Sequence, residues 1–441
     1  MSKKFYARLL TLLSLSILTL AGCTEEDTDQ EETADTEQEQ PADSESGDDT
    51  DATEDQEDAN DSDDEEGDET DEDVSEETEE DDSEETASAF GNQENVRYIS
   101  ADRLTVRSEG SSESAEMGSL RKGNEVRVTE EIEADDAVWY QIEHHNPSLN
   151  EGWVSSEFTT SDLNELHQLT DFSNEEMNEF FASPTLFEDH TVVAYYGHPN
   201  SEIMGIVGRH PVEELLDLVS ETAEEYDELL DDKGTVPAVY LVYGTVQPGG
   251  DVFKMDYDLV LSYIEAAYER GILVYIDHQM GRHHPTYSIQ EIQSFLRYPN
   301  VQLALDPEWR TERPMQEVGH ITGTELNEVQ EIMQAYIEDN EIQGTRQFVF
   351  HQFVEKMIHD VEDASADYEP VLLVHNTSGW GAPEGKRATH DRVAEATNIP
   401  YKGFKLWYYY SDRPGVHYDN PLMTPEEVMD LDPQPGLVIY Q

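Results

Sequence analysis

Along the last two-thirds of the chain, short apolar runs end abruptly in polar side chains. Leu273-Val-Tyr-Ile-Asp277-His-Gln279 is the clearest of them, and the pattern returns at Leu303-Ala-Leu-Asp306-Pro-Glu308, Phe348-Val-Phe-His351-Gln352, Leu372-Leu-Val-His375-Asn376 and Phe404-Lys405-Leu-Trp407. Parallel strands read this way, because both of their faces are covered. The pattern predicts strands over 191–196, 238–244, 272–277, 301–306, 346–352, 371–376, 402–408 and 436–440. Helical periodicity between them predicts helices over 211–230, 257–270, 288–297, 324–339, 353–362, 385–396 and 424–430. The alternation argues for parallel strands. Eight such strands in about 250 residues match a closed (β/α)8 barrel of the TIM type. An open doubly wound sheet is the alternative, but the regular spacing and the lack of a Gly-rich phosphate turn favour closure. No helix follows the eighth strand, and a helical stretch at 163–181 is available to fill that gap or to cover the barrel floor.

Residues 95–158 have a different rhythm, with short alternations separated by turn residues: Leu104-Thr-Val106, Glu125-Val-Arg-Val128, Val138-Trp-Tyr-Gln-Ile142 and Gly152-Trp-Val154. This predicts a small all-β barrel. Leu104-Thr-Val-Arg107-Ser108, Met117-Gly118-Ser-Leu120-Arg-Lys-Gly123, Trp139-Tyr140-Gln-Ile142 and Gly152-Trp153-Val154-Ser155 together resemble the bacterial SH3 (SH3b) family. The turn after Arg107-Ser108 reads Glu109-Gly110 and departs from the family's usual Gly-Pro. The resemblance implies binding to cell-wall components, often peptidoglycan peptides. Trp139, Tyr140 and Trp153 offer either an aromatic ledge for such a ligand or ordinary core packing.

The N-terminal fifth of the chain cannot build a core. Lys3, Lys4 and Arg8 precede an apolar stretch, Leu9–Leu20, which is too short for a comfortable membrane span. It runs into Leu20-Ala21-Gly22-Cys23, which resembles the lipobox of bacterial lipoproteins. That resemblance implies removal of residues 1–22 and a diacylglyceryl group on Cys23, anchoring the chain to the outer side of the cell membrane; with further acyl chains such an anchor is stable. Cys23 is the only cysteine, so no intramolecular disulfide can form. Residues 24–89 contain no Lys or Arg and are about half acidic, a composition that predicts a disordered, self-repelling tether. Fully stretched it would reach roughly 200 Å, and as a neutral coil about 45 Å. The expected layout is a signal segment over 1–22, a tether over 23–91, an SH3b domain over 92–160 and a barrel over 161–441.

Charge narrows the partners. The chain holds 101 acidic against 25 basic residues, a formal charge of -76. Nucleic acid, whose phosphates demand Lys and Arg, is excluded as a partner, and direct adsorption to anionic lipid is disfavoured. Beyond residue 91 acidic residues still outnumber basic ones about three to one. Such a surface suits a salty or alkaline habitat, or the binding of wall cations.

In a closed parallel barrel the chemistry sits at the strand carboxyl ends. The candidates there are Tyr195, Tyr196 and His198; Tyr243; Asp277, His278 and Gln279; Asp306 and Glu308; His351 and Gln352; His375 and Asn376; and Lys405 and Trp407. Asp277 and Asp306 end adjacent strands, and Lys405 is a plausible partner for their charge. Glycoside hydrolysis needs two carboxyl groups flanking one bond, and Asp277, Asp306 and Glu308 supply three candidates for the catalytic roles. Tyr195, Tyr196, Tyr243, Trp309, Trp380 and Trp407 suit sugar stacking or barrel packing. The Asp306-Pro307-Glu308 segment after the fourth strand resembles glycosidase barrels of the cell-wall class, which implies a polysaccharide substrate. The Asp-x-x-Asp-x-Asp-x-Glu run of chitinase-like barrels is absent. Tyr195-Tyr-Gly-His-Pro199 with Met204-Gly-Ile-Val-Gly208 predicts tight turns at the rim of the first strand.

Other chemistries find less support. There is no Gly-x-Ser-x-Gly elbow, and no cysteine nucleophile remains once Cys23 is lipidated. His278, His283, His284, His351 and His375 lack a recognised ligand spacing, so no metal and no cofactor is expected. Two readings stay open. The barrel hydrolyses wall or extracellular polysaccharide, or it is a non-catalytic carbohydrate-binding or scaffold module; fold does not decide between them.

Overall fold

The computed structural model describes residues 95–166, 172–412 and 416–441. The expected signal segment, Cys23 and the acidic stretch lie outside these residues. No helix among the described residues is long and apolar enough to cross a membrane.

The first folded part is a seven-stranded antiparallel sheet built from Val96–Ile99 through Thr159–Thr160. Alternation puts Leu104, Val106, Leu120, Val126, Ile142 and Val154 on one side, where they form a core with Ile99 and Leu149. Trp139 and Trp153 are buried as well, Trp139 donating its indole N–H to the Ala134 carbonyl at 3.3 Å, and Tyr140 packs on the core. The aromatic ledge therefore gives way to packing.

The second part is a closed parallel barrel. Its strands are β1 (His190–Gly197), β2 (Gly234–Val246), β3 (Leu273–Gln279), β4 (Val301–Asp306), β5 (Arg346–Gln352), β6 (Val371–Thr377), β7 (Tyr401–Leu406) and β8 (Leu437–Tyr440). They pair in that order, and β8 pairs with β1 to close the ring. Residues 192, 194, 236, 238, 240, 242, 304, 349, 374, 437 and 439 fill the interior. Their neighbours in the strands face an outer layer of α1 (Val212–Asp227), α2 (Tyr257–Tyr268), α3 (Pro285–Ile292), α4 (Gly323–Asp339), α5 (Pro383–Ala394) and α6 (Pro425–Met429). In α1 this layer is sealed by Leu215, Leu216, Val219, Ala223 and Tyr226, each large apolar side chain contributing about 1.5–3 kcal/mol. The interior is packed, not a pore: Tyr240 and Tyr275 stack at 5.0 Å, and the Tyr275 hydroxyl donates to Gln347 Oε1 at 2.6 Å. The helix Glu175–Phe181 lies at the amino ends of the strands, with Phe180 against His190 and Phe181 in the interior core, so it covers the floor.

The helix expected over 353–362 does not form. Two 3-10 turns, Glu355–Met357 and Val361–Asp363, flank a short strand at Ile358–His359 that pairs in parallel with Ile321–Thr322. The β-branched residues Val354, Ile358 and Val361 favour that extended course, and Asp360 breaks it in the left-handed region at φ 50°. The helix expected over 288–297 starts earlier, at Pro285, and tightens into a 3-10 turn over Gln293–Arg297.

The predicted rim turn after β1 is present. Gly205 has φ 137°, and a Cβ there would lie 2.3 Å from the Tyr196 carbonyl oxygen. Gly205→Ala is expected to cost about 1–3 kcal/mol, read as a lower denaturation midpoint at unchanged slope.

The two folded parts are packed together. Gly123, at φ 80°, leaves no room for a side chain because the Tyr257 ring of α2 occupies that space. Lys122 pairs with Asp258, and the Arg297 guanidinium reaches Glu125 at 3.2 Å while lying over the Tyr98 ring.

Candidate active site

Strand alternation sorts the candidates. Tyr196, Asp277, Gln279, Asp306, His351, Asn376 and Lys405 point into the barrel, and all but Gln279 lie in or beside one connected polar cluster. Tyr195 points outward, its hydroxyl 2.6 Å from Thr222 Oγ1 of α1. Tyr243 packs edge-on to Phe295, and His375 stacks on Phe350 with Nε2 bonded to Gln352 Oε1. Tyr195, Tyr243, His375 and Gln352 therefore face the helix layer and not the mouth, because each is one residue out of step with an inward neighbour. His198 sits in the rim turn and accepts the Asn200 N–H.

Register separates the two aspartates that the sequence places level. Gln279 is opposite Asp306, whereas Asp277 is opposite Ala304. Asp277 thus lies two residues deeper and is fully buried. It accepts the Tyr196 hydroxyl at 3.2 Å and approaches His351 Nε2 at 3.5 Å. Asn376 Nδ2 meets His351 Nδ1 at 2.9 Å, and the Tyr240 hydroxyl meets His351 Nε2 at 3.0 Å. A ring that accepts at Nδ1 carries its proton on Nε2, and here that proton faces Tyr240 and Asp277.

Above this layer opens a cleft of about 580 Å³. Asp306, Glu308, Gln279, His351, Tyr196 and Lys405 form its floor, and Trp309, Phe353, Trp380, Trp407, Met315 and His417 its walls. Trp380 is 40 % exposed, stacks on His417 at 3.8 Å and meets Trp407 edge-on at 5.9 Å. Asp306 ends β4, and Pro307 stops the strand so that Glu308 rides on the turn Pro307–Trp309. Among the described residues no arginine or lysine makes an ion pair with Asp306 or Glu308. Lys405 Nζ instead lies 3.4 Å from the centre of the Tyr196 ring, a cation–π contact.

Burial sets the protonation of this group. It raises the Asp306 carboxyl, with Asp277 adding to the rise and His351 and Lys405 opposing it. Burial and then the Asp306 charge raise Glu308 further, with Lys405 opposing. Burial lowers the Lys405 ammonium to about 8, held up by Asp306, Asp277 and Glu308. Two carboxyl groups crowded on the floor of one cleft cannot both ionise easily, so the second keeps its proton.

Sequence reasoning passed over Tyr240, Gln441 and His417. Tyr240 is paired with Tyr196 in the register of β1 and β2, and Gln441 continues the inward series 437, 439; both were legible from alternation once the strands were aligned. His417 comes from an irregular segment and left no pattern to read.

Comparison with known proteins bears on the first folded part. Residues 102–160 match the bacterial SH3 domain family. No curated protein matches the chain. Among solved structures, oxaloacetate acetylhydrolase in complex with oxalate is similar at 12 % identity and TM-score 0.35, over 61 % of this chain and 80 % of that one. A chitinase from Rhizomucor miehei is similar at 9 % identity and TM-score 0.32, over 56 % and 93 %. A GH18 chitinase from Flavobacterium johnsoniae gives 10 % and 0.32, over 57 % and 87 %. These likenesses are too distant to carry an argument about activity. The chain thus joins a bacterial SH3 domain, at residues 102–160, to a closed eight-stranded parallel barrel of the TIM type.

Proposed function

We propose that this chain is a lipid-anchored protein of the bacterial cell surface whose SH3b domain binds the cell wall and whose barrel hydrolyses a glycosidic bond in wall or extracellular polysaccharide. The observation that carries the reading is the pair Asp306 and Glu308, free of ion-pair partners among the described residues, on the floor of one cleft walled by tryptophans. Glu308, the more strongly raised of the two, is the general acid that protonates the glycosidic oxygen. Asp306 is the base or nucleophile, the Lys405 charge opposing the rise that burial imposes on its carboxyl. Asp277 touches no substrate; it positions Tyr196 and His351 from below. Trp380 and Trp407 stack on sugar rings. Cys23 and the acidic stretch hold the folded part away from the membrane.

The rate requires Asp306 without its proton and Glu308 with it. With Asp306 raised to about 6 and Glu308 to about 8, kcat/KM is expected to peak near neutral pH and fall on both sides. The founding test is reducing-sugar release from purified cell wall by the full chain carrying Cys23→Ser, beside the same chain with Asp306→Asn. Release that disappears in Asp306→Asn supports the reading. Equal release by both proteins removes Asp306 from the chemistry. Binding to wall without release by either assigns the barrel to carbohydrate binding alone.

A further inference from the structure

Away from the barrel mouth, the junction of the two folded parts contains a second cluster of donor groups. We propose that His144, His145 and Glu291 bind a divalent transition-metal ion, with zinc the best chemical match, and that this ion ties the SH3b domain to the barrel. The three residues come from both parts: the two histidines follow the SH3b strand Ala137–Glu143, and Glu291 is in the last turn of α3. One donor atom from each lies within 4.8 Å of the other two. Zinc bonds of about 2.1 Å require donor atoms roughly 3.4 Å apart, so closing the set takes a movement of about 1 Å.

Two further observations point to a ligand. The cluster lines a cleft of about 320 Å³ between the two parts, bordered also by Glu125, Asn150 and Gln293. His144 Nε2 is buried there with no hydrogen-bond partner among the described residues, an arrangement that costs free energy unless something fills it. Two imidazoles and one carboxylate form a donor set for zinc that leaves a fourth position for water. The chain's strongly negative charge raises the local cation concentration.

Three contacts must yield. Lys254 is paired with Glu291, and His145 Nε2 meets Glu291 Oε1 at 2.7 Å. The Lys254 ammonium occupies the role of the metal's charge, and an incoming ion displaces it. His144 Nδ1 accepts the Asn146 N–H at 3.1 Å. Ligation through Nε2 moves the ring proton to Nδ1 and gives up that contact.

The test uses the full chain, stripped with chelator and dialysed against zinc in the presence of excess magnesium, which saturates weak carboxylate sites. Bound zinc is counted by elemental analysis, and the thermal midpoint is recorded with and without zinc. One zinc per chain is expected, with a raised midpoint. His144→Ala and Glu291→Gln are each expected to weaken binding at least about tenfold. Lys254→Met, which removes the competing cation, is expected to bind zinc several-fold more tightly. Circular dichroism of each variant confirms the fold before titration. No stoichiometric zinc on the folded wild-type chain, or equal affinity in wild type, His144→Ala and Glu291→Gln, overturns the proposal. Because the readout is metal content, it is independent of whether the barrel hydrolyses sugar.

Discussion

Glu308→Gln is expected to lower polysaccharide hydrolysis by about 10²–10⁴-fold and at the same time to make the protein harder to unfold above pH 8. The two effects have one cause. Burial and the neighbouring Asp306 charge raise the Glu308 carboxyl to about 8, and burial raises Asp306 to about 6. A carboxyl raised in the folded state binds its proton more tightly there than in the unfolded chain. Its contribution to stability is complete below the unfolded value of about 4 and is lost as pH rises through 6 and then 8. At pH 9 the wild-type site must therefore hold two neighbouring charges on the cleft floor. Glutamine has the same shape without the charge, so the variant is expected to be roughly 2 kcal/mol more stable at pH 9 and little different at pH 4. Urea denaturation at the two pH values measures this, and sugar release measures the other half. A variant that loses activity while losing stability at pH 9 would place Glu308 among ordinary structural carboxylates.

Arg297→Ala has the largest expected effect on the architecture. The Arg297 side chain is 1 % exposed and its partner Glu125 is 21 % exposed. Its Nε donates to the Tyr336 hydroxyl at 2.8 Å, and its Nη2 donates to Asn340 Oδ1 at 2.7 Å and to Glu125 Oε2 at 3.2 Å. Tyr336 donates to the same Glu125 oxygen at 2.8 Å. Removal of the guanidinium takes the one charged donor from the Glu125 carboxylate and leaves it only tyrosine hydroxyls at the junction. Breaking a buried pair costs 3–5 kcal/mol, and the partial exposure of Glu125 reduces that to about 2–3 kcal/mol. The expected signature is a separate, earlier unfolding transition for the SH3b domain. An unchanged single transition would show that the apolar contact of Tyr257 at Gly123 holds the junction without the ion pair.

The parallel strands were legible because each is apolar on both faces, and the polar tips marked where several of them stop. The helix-free link between β5 and β6 was not, because Val354, Ile358 and Val361 can be placed on a helical stripe as easily as on an extended one. The site was legible as a set of strand tips but not as a set of directions. Tyr195 and Tyr196 are equivalent in composition, and only the pleat decides that Tyr196 faces Asp277 while Tyr195 faces Thr222. Likewise nothing in Asp277 and Asp306 taken separately discloses that β3 and β4 pair with Gln279 opposite Asp306. The cluster of His144, His145 and Glu291 is joined only by folding, since its members are separated by nearly 150 positions.

On the proposed function, the firm seat of the SH3b domain against α2, α3 and α4 has a consequence for the product. A glycan strand gripped by the smaller domain while its neighbouring stretch lies in the cleft would be measured against a ruler of constant length. Fragment sizes would then cluster around one value in the intact chain and spread out once Arg297 is replaced.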